Sequence, residues 1–188
     1  NSKRTTKKEI AKKETQIQQQ FISTAKEAHN IKVVTKSGLL WDTTQQDAIE
    51  KGNLIHSIMS KINTKDDINF VVSEYINASS INKEQASILK GIANEIVNHP
   101  QLKDYYTSNF TIYNERDIIT KEGIILRPDR VVVNSNNEAI IIDYKTGLED
   151  KKHHQQLQTY QDVLEDMSLK VIRKILVYIN DDIQIKVI

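Results

Sequence analysis

The stretch Ala139-Ile140-Ile141-Ile142-Asp143-Tyr144-Lys145-Thr146-Gly147 decides the fold. A short run of this kind, apolar without alternation, reads as a strand covered on both faces. Side chains alternate along a strand, so Asp143 and Lys145 share one face while Ile142 and Tyr144 share the other. A carboxylate and an ammonium therefore emerge together where a buried strand ends. Taken alone, Asp-x-Lys reads first as an ordinary strand-end ion pair.

The neighbouring sequence builds outward from that strand. Upstream, Ser135-Asn136-Asn137 makes a tight connection to a strand over 123–134, and Glu122-Gly123 turns back to another over 110–119. The three strands form an antiparallel meander, which lets Asp129 fall beside Asp143. Downstream, the pattern predicts a helix over 154–167 and strands over 174–178 and 183–187. Gln156 and Tyr160 lie one helical turn apart, putting an amide and a phenol on one face.

Three helices are expected before the meander. The first covers 44–62, with Ala48, Ile55, Met59 and Ile62 inward. The second covers 67–77. The third is capped by Asn82 and stopped by Pro100. Gly52 and His56 sit at i and i+4 on the first helix. His56 lies at the edge of its apolar stripe, either as a satisfied core histidine or as a ligand. The order of elements predicts an α/β fold, with a mixed central β-sheet flanked by helices and preceded by an N-terminal helical region.

Close carboxylates resist joint ionisation unless a cation lies between them. A hard divalent cation such as Mg²⁺ favours that oxygen environment. A lysine two residues after such an acid can orient or deprotonate a water and stabilise charge on a phosphate. These ingredients suit phosphodiester hydrolysis.

The 188 residues are 38% hydrophobic and 27% charged, a composition able to build a core. Cysteine is absent, which excludes a disulfide framework, a cysteine nucleophile, a zinc ribbon and a cysteine-ligated iron–sulfur cluster. No apolar run approaches the roughly 20 residues that span a bilayer, so no membrane role is expected. The start, Asn1-Ser2-Lys3-Arg4, has neither an initiator Met nor an apolar signal core, and reads as a cytoplasmic fragment of something larger. Residues 1–13 hold six Lys/Arg against one Glu. The rest holds 20 basic residues against 24 acidic ones, and the chain is +1 overall. The basic arm is either a nucleic-acid contact or a solvated terminus. A helix is expected over 5–29, an extended piece over 31–35 and an apolar clip at Leu39-Leu40-Trp41. The acidic body has no field that would hold DNA strongly, so a strand would have to be delivered to it.

Gly52-x-x-x-His56, Arg127-Pro128-Asp129-Arg130, Ile141-Ile142-Asp143-Tyr144-Lys145-Thr146-Gly147 and Gln156-x-x-x-Tyr160 occur in that order. The series resembles the RecB-like branch of the PD-(D/E)XK nuclease superfamily, the nuclease domain at the C-terminal end of the RecB and AddA helicase–nucleases. The resemblance covers 41–188. It implies a restriction-endonuclease-like core, divided into a helical part over 41–108 and an αβ nuclease core over 109–188, with 1–40 as the basic arm. It implies that His56, Asp129, Asp143 and the carbonyl of Tyr144 hold Mg²⁺ or Mn²⁺. Lys145 matches the catalytic lysine, working with Asp129 and Asp143. Gln156 and Tyr160 match a helix motif that lies against the active site and the DNA backbone. Glu115 resembles an acidic position of many relatives, with a solvated strand Glu as the equal alternative.

The same resemblance implies a metal-dependent deoxyribonuclease, an exonuclease rather than an endonuclease, in double-strand break repair and recombination. Its expected partners are DNA, as a single strand delivered by a helicase motor, helicase domains of the same polypeptide, and a second helicase–nuclease subunit. The expected location is the cytoplasm, at the nucleoid. Some relatives carry an iron–sulfur cluster, and the lack of Cys places this chain apart from them. No Gly-x-x-x-x-Gly-Lys-Ser/Thr loop is present, so no motor is claimed. The rival readings are a DNA-binding or docking module with a lapsed site and an RNA or cap-processing nuclease of the same superfamily. Arg127 shares the Asp129 face by alternation and is expected to reach a phosphate, and Lys151 and Lys152 are either phosphate contacts or exposed loop charges. Arg130 is expected to face away and pair with a surface acid. His153 and His154 are either a second metal position or a solvated helix start.

Overall fold

The computed structural model describes residues 45–188, with side chains from Ile49 onward. The expected arm helix, the extended piece at 31–35 and the clip at Leu39-Leu40-Trp41 lie outside the described residues.

Three helices come first. α1 spans Gln45–Met59, and Ile62 is buried in the turn that follows it. α2 spans Ile68–Asn77 and buries Ile68, Val71 and Val72. α3 spans Lys83–Asn98 and buries Ala86, Leu89, Ala93, Ile96 and Val97. These positions recur at i, i+3, i+4 and i+7, the spacing of one helical face. Asn82 and Gln85 cap α3 reciprocally. Each side chain accepts from the other's main-chain N–H, at 2.8 and 3.0 Å. The helix ends before His99, whose extended ψ of 133° meets the restriction imposed by Pro100.

Seven strands and one helix follow. β1 is Thr111–Asn114, β2 Ile118–Ile119, β3 Ile125–Leu126, β4 Arg130–Val133 and β5 Glu138–Lys145. α4 spans Lys151–Asp166, β6 Lys170–Ile179 and β7 Ile183–Val187. Five strands form one sheet in the order β1-β4-β5-β6-β7. Only β5 and β6 run parallel, joined by α4, so the sheet is mixed as expected. Even-numbered β5 residues Ile140, Ile142 and Tyr144 pack with Val132, Ile175 and Val177 under the helices that precede the sheet. Ala139 and Ile141 pack with Val131, Leu176 and the α4 residues Leu157, Tyr160 and Leu164. This two-sided burial explains the unalternating apolar run in β5.

Two expected strands are each broken. The strand over 110–119 splits at Glu115, which adopts a positive φ of 44°. The strand over 123–134 splits at Pro128, which has no N–H to give a ladder. The outer pieces pair with each other as β2 and β3, away from the main sheet. The Glu115 N–H then donates to the Asp129 carbonyl at 2.9 Å, closing the break. Alternation across these positions does not hold, and that is what brings two acids to the sheet end. α4 begins at Lys151, three residues before expectation, because Asp150 caps it by accepting the Lys152 N–H at 2.9 Å. β6 begins at Lys170 where 174 was expected, since its exposed first half hides the strand pattern.

Candidate active site

β5 carries Asp143 and Lys145 to the sheet end on the α4 side. Asp143 is 1% exposed. Burial pushes its pKa up to about 6, and the charge of Asp129 adds to the rise. Lys145 Nζ lies 2.6 Å from Asp143 Oδ2, an ion pair off the angle of a directed hydrogen bond. That oxygen is buried, and the Lys145 ammonium is the partner that faces it. Lys145 Nζ also donates to Gln156 Oε1 at 2.8 Å, and Gln156 Nε2 donates to Tyr160 Oη at 2.8 Å. The Tyr160 hydroxyl donates to the Arg127 carbonyl at 3.1 Å. Burial and the nearby acids push the phenol up to about 12, so it remains a donor at neutral pH. One chain of contacts thus joins Asp143, Lys145, α4 and the segment before β4.

A second group forms beside the first. His56, Glu115 and Asp129 each offer a ligand atom within 4.8 Å of one another. His56 Nδ1 stands 3.4 Å from Asp129 Oδ1. Asp129 Oδ2 accepts the Tyr144 main-chain N–H at 2.8 Å. The His56 ring meets the Tyr144 ring edge-on, with centroids 6.0 Å apart. Contact with Asp129 holds the imidazole pKa above its ordinary value against the opposing effect of burial. Gly52 explains how α1 comes so close: a Cβ there would meet Thr146 Oγ1 at 2.9 Å. A bulkier residue would push α1, and with it His56, off the end of β5.

The sequence-predicted residues are distributed as follows. His56 and Asp129 meet directly, Tyr144 joins them through its N–H, and Asp143 falls outside that tight group while lying beside Lys145. Gln156 and Tyr160 join through Lys145. Glu115, ranked as an equal choice between site and solvated strand, enters the tight group because its positive φ turns it there. The polar run Asn114-Glu115-Arg116-Asp117 is the sequence signal for that break. Lys151 and Lys152 are exposed in the first turn of α4. Arg127 is exposed and held by Asp117 through two hydrogen bonds, 2.6 and 3.0 Å, so a phosphate would have to displace that acid. His153 bonds the Tyr178 hydroxyl at 2.9 Å and His154 lies 3.2 Å from Glu149, both apart from the three-residue group.

Arg130 corrects an expectation. It was expected to pair with a surface acid, but it is 0% exposed and forms no ion pair among the described residues. Its guanidinium donates to the carbonyls of Ile62, Asn63 and Tyr105, each at 2.8 Å, and to Asn114 Oδ1 at 3.1 Å. It also stacks 4.1 Å from the centroid of the Tyr106 ring. It fastens the loops after α1 and α3 to the sheet.

The donors fit a divalent cation. The imidazole of His56 and the carboxylates of Glu115 and Asp129 form an oxygen-rich set suited to a hard ion, and the buried Asp143 carboxylate, close enough to Asp129 to feel its charge, adds a third acid beside it. Without a cation, burial and Asp129 keep Asp143 partly protonated near neutral pH.

A family model described as the PD-(D/E)XK nuclease superfamily matches residues 28–186. A solved structure titled "Crystal structure of SSO0001" is 25% identical, with 71% of this chain and 65% of that chain covered and a TM-score of 0.31. The chain therefore spans just under two thirds of that protein's length. No curated protein matches at a significant level.

Proposed function

Since the chain belongs to the PD-(D/E)XK nuclease superfamily, whose nucleases use divalent metals, we propose that it is a Mg²⁺- or Mn²⁺-dependent deoxyribonuclease. In this reading it acts as an exonuclease, the C-terminal domain of a helicase–nuclease that processes double-strand breaks. A motor on the same polypeptide, working with a second helicase–nuclease subunit, delivers the strand in the cytoplasm. Among the described residues no helix is long and apolar enough to cross a membrane. The observation that carries the reading is the buried Asp143 carboxylate, ion-paired through Oδ2 with Lys145, next to the His56–Glu115–Asp129 group.

His56, Glu115, Asp129, Asp143 and the Tyr144 carbonyl would hold the ion. When bound, a divalent cation neutralises the phosphate and acidifies water. The chain's own groups do the rest. Lys145 Nζ, pinned between Asp143 and Gln156, orients the attacking water and neutralises charge that develops on the phosphate. Gln156 and Tyr160 set the height of that ammonium and fix α4 against the segment before β4. Lys151 and Lys152 hold phosphates of the strand, which fixes register without reading bases.

Cleavage of single-stranded and duplex DNA in Mg²⁺, Mn²⁺ or EDTA, beside Lys145→Ala, tests the proposal. The expected result is metal-dependent cutting that falls about 10²- to 10³-fold in the variant. Cutting that persists in EDTA or in Lys145→Ala would overturn it. So would a chain that neither cuts nor binds Mn²⁺ at millimolar concentration, which would leave the docking-module reading.

A further inference from the structure

Leu148 is 90% exposed, the most open large apolar side chain among the described residues. Its neighbours in the chain are tied down. Gly147, at a φ of 99°, donates its N–H to Asn180 Oδ1 at 2.8 Å and accepts from Asn180 Nδ2 on its carbonyl at 3.1 Å. Glu149 is paired with Lys186 and with His154. Asp150 caps α4, accepting the Lys152 N–H on its side chain and the His153 N–H on its carbonyl. A lone exposed leucine on a loose loop needs no explanation. Here the loop is anchored on both sides, and the leucine stands out into water three residues past Lys145.

We propose that Leu148 is a nucleobase contact, an apolar wedge that packs against a base of the strand whose phosphate lies at Lys145. The inference rests on the deoxyribonuclease reading and adds to it the part of the substrate that this loop takes. A leucine cannot hold a phosphate or read a base edge by hydrogen bonds. The apolar surface that a single strand offers is the face of its bases, and apolar side chains are used against base steps in this way. Lys151 and Lys152, three and four residues on, are exposed cations in the first turn of α4 and would take phosphates of the same strand. Contact through the base face is tolerant of sequence because every base has one. Anchoring by Asn180 and the α4 cap matters because a pre-ordered contact loses little entropy on binding.

The test measures binding of the full 188-residue chain to oligothymidylate and to an abasic deoxyribose-phosphate strand of equal length and charge, in EDTA. The wild type is expected to bind the base-bearing strand about tenfold more tightly, Leu148→Ser to bind the two strands equally, and Leu148→Phe to keep the preference. An unchanged thermal midpoint in Leu148→Ser separates contact from folding. A wild type without the preference, or a preference that survives in Leu148→Ser as it would if Leu148 instead met another protein, overturns the proposal. Because nothing is cut in EDTA, the two readings fail separately. A base preference dependent on Leu148 in a chain that never cuts DNA would sink the nuclease reading alone. Metal-dependent cutting without the preference would sink the base contact alone.

Discussion

Tyr144 donates its main-chain N–H to Asp129 Oδ2 at 2.8 Å. The acid that precedes β4 is thus held by the backbone of β5, whatever side chain stands at 144. Asp129 Oδ1 is left facing His56. One carboxylate oxygen is held by the backbone and the other faces the imidazole, which fixes the group before any ligand arrives. Tyr144 in turn is buried and locked by a 2.5 Å contact between its hydroxyl and that of Tyr106.

Glu115 offers the sharpest test of the group's composition. Glu115→Gln keeps the size, and its main-chain bond to Asp129 is untouched, but the charge is lost. Mn²⁺ affinity measured by calorimetry should fall at least about tenfold, with cleavage falling in step. Unchanged Mn²⁺ affinity would mean that Glu115 serves only to break the strand.

Arg130 should be a stability residue. Arg130→Met leaves the carbonyls of Ile62, Asn63 and Tyr105 and the Asn114 side chain without their donor. Leaving these acceptors without a donor should cost about 3–5 kcal/mol in urea unfolding, and Arg130→Lys should recover little because an ammonium lacks the planar fork. A loss below about 1 kcal/mol would show that these carbonyls find water instead.

Arg130 also marks where the sequence stops being legible. The run through Ile142 into Asp143 and Lys145 displays its own burial and brings its two charged candidates to one strand end, because a strand buried on both faces needs no partner information to be recognised. The α2 and α3 stripes are equally local. The partners of Arg130 are not: Ile62 and Asn63 lie 68 and 67 residues away, and both are loop carbonyls that any residue type would supply. Strand alternation carried across Pro128 gives Arg130 a direction but no environment. Glu115 was obscured for a related reason, since alternation was read through a position whose positive φ ends it.

Gly52 tests how α1 delivers His56. In Gly52→Ala the new Cβ meets Thr146 Oγ1, and Thr146 Cγ2 at 3.3 Å limits how far that side chain can turn away. Cleavage should drop several-fold, about 1 kcal/mol of barrier, while helix propensity alone would favour the change. Gly52→Ala combined with Thr146→Ala should restore the rate. Failure of the double variant to recover would place the effect in α1 itself rather than in its contact with the β5 loop.

Metal-free stability should carry an Asp143 signature in its pH dependence. The folded-state pKa is raised from 3.8 to about 6, chiefly by burial. A raised pKa means that the folded state holds its proton longer than the unfolded chain does. The stability contributed by Asp143 is therefore complete below about pH 4 and lost as pH rises through about 6. His56, also raised, acts in the same sense from 6.5 upward. Asp117, Glu122, Glu138 and Glu149 have depressed values and act in the opposite sense, so the wild-type curve mixes both. The difference between wild type and Asp143→Asn reads the Asp143 contribution, together with the part of the His56 rise that the Asp143 charge supplies. Urea unfolding in EDTA between pH 4 and 7 should show Asp143→Asn gaining on wild type by the order of 1–3 kcal/mol across that window. With Mn²⁺ the sign should invert, because the ion needs the ionised acid and its stabilisation grows as protons leave. Parallel curves for the two proteins in EDTA would mean that Asp143 is solvated when no ion is bound, and the case for a preformed cation site would lose its buried acceptor.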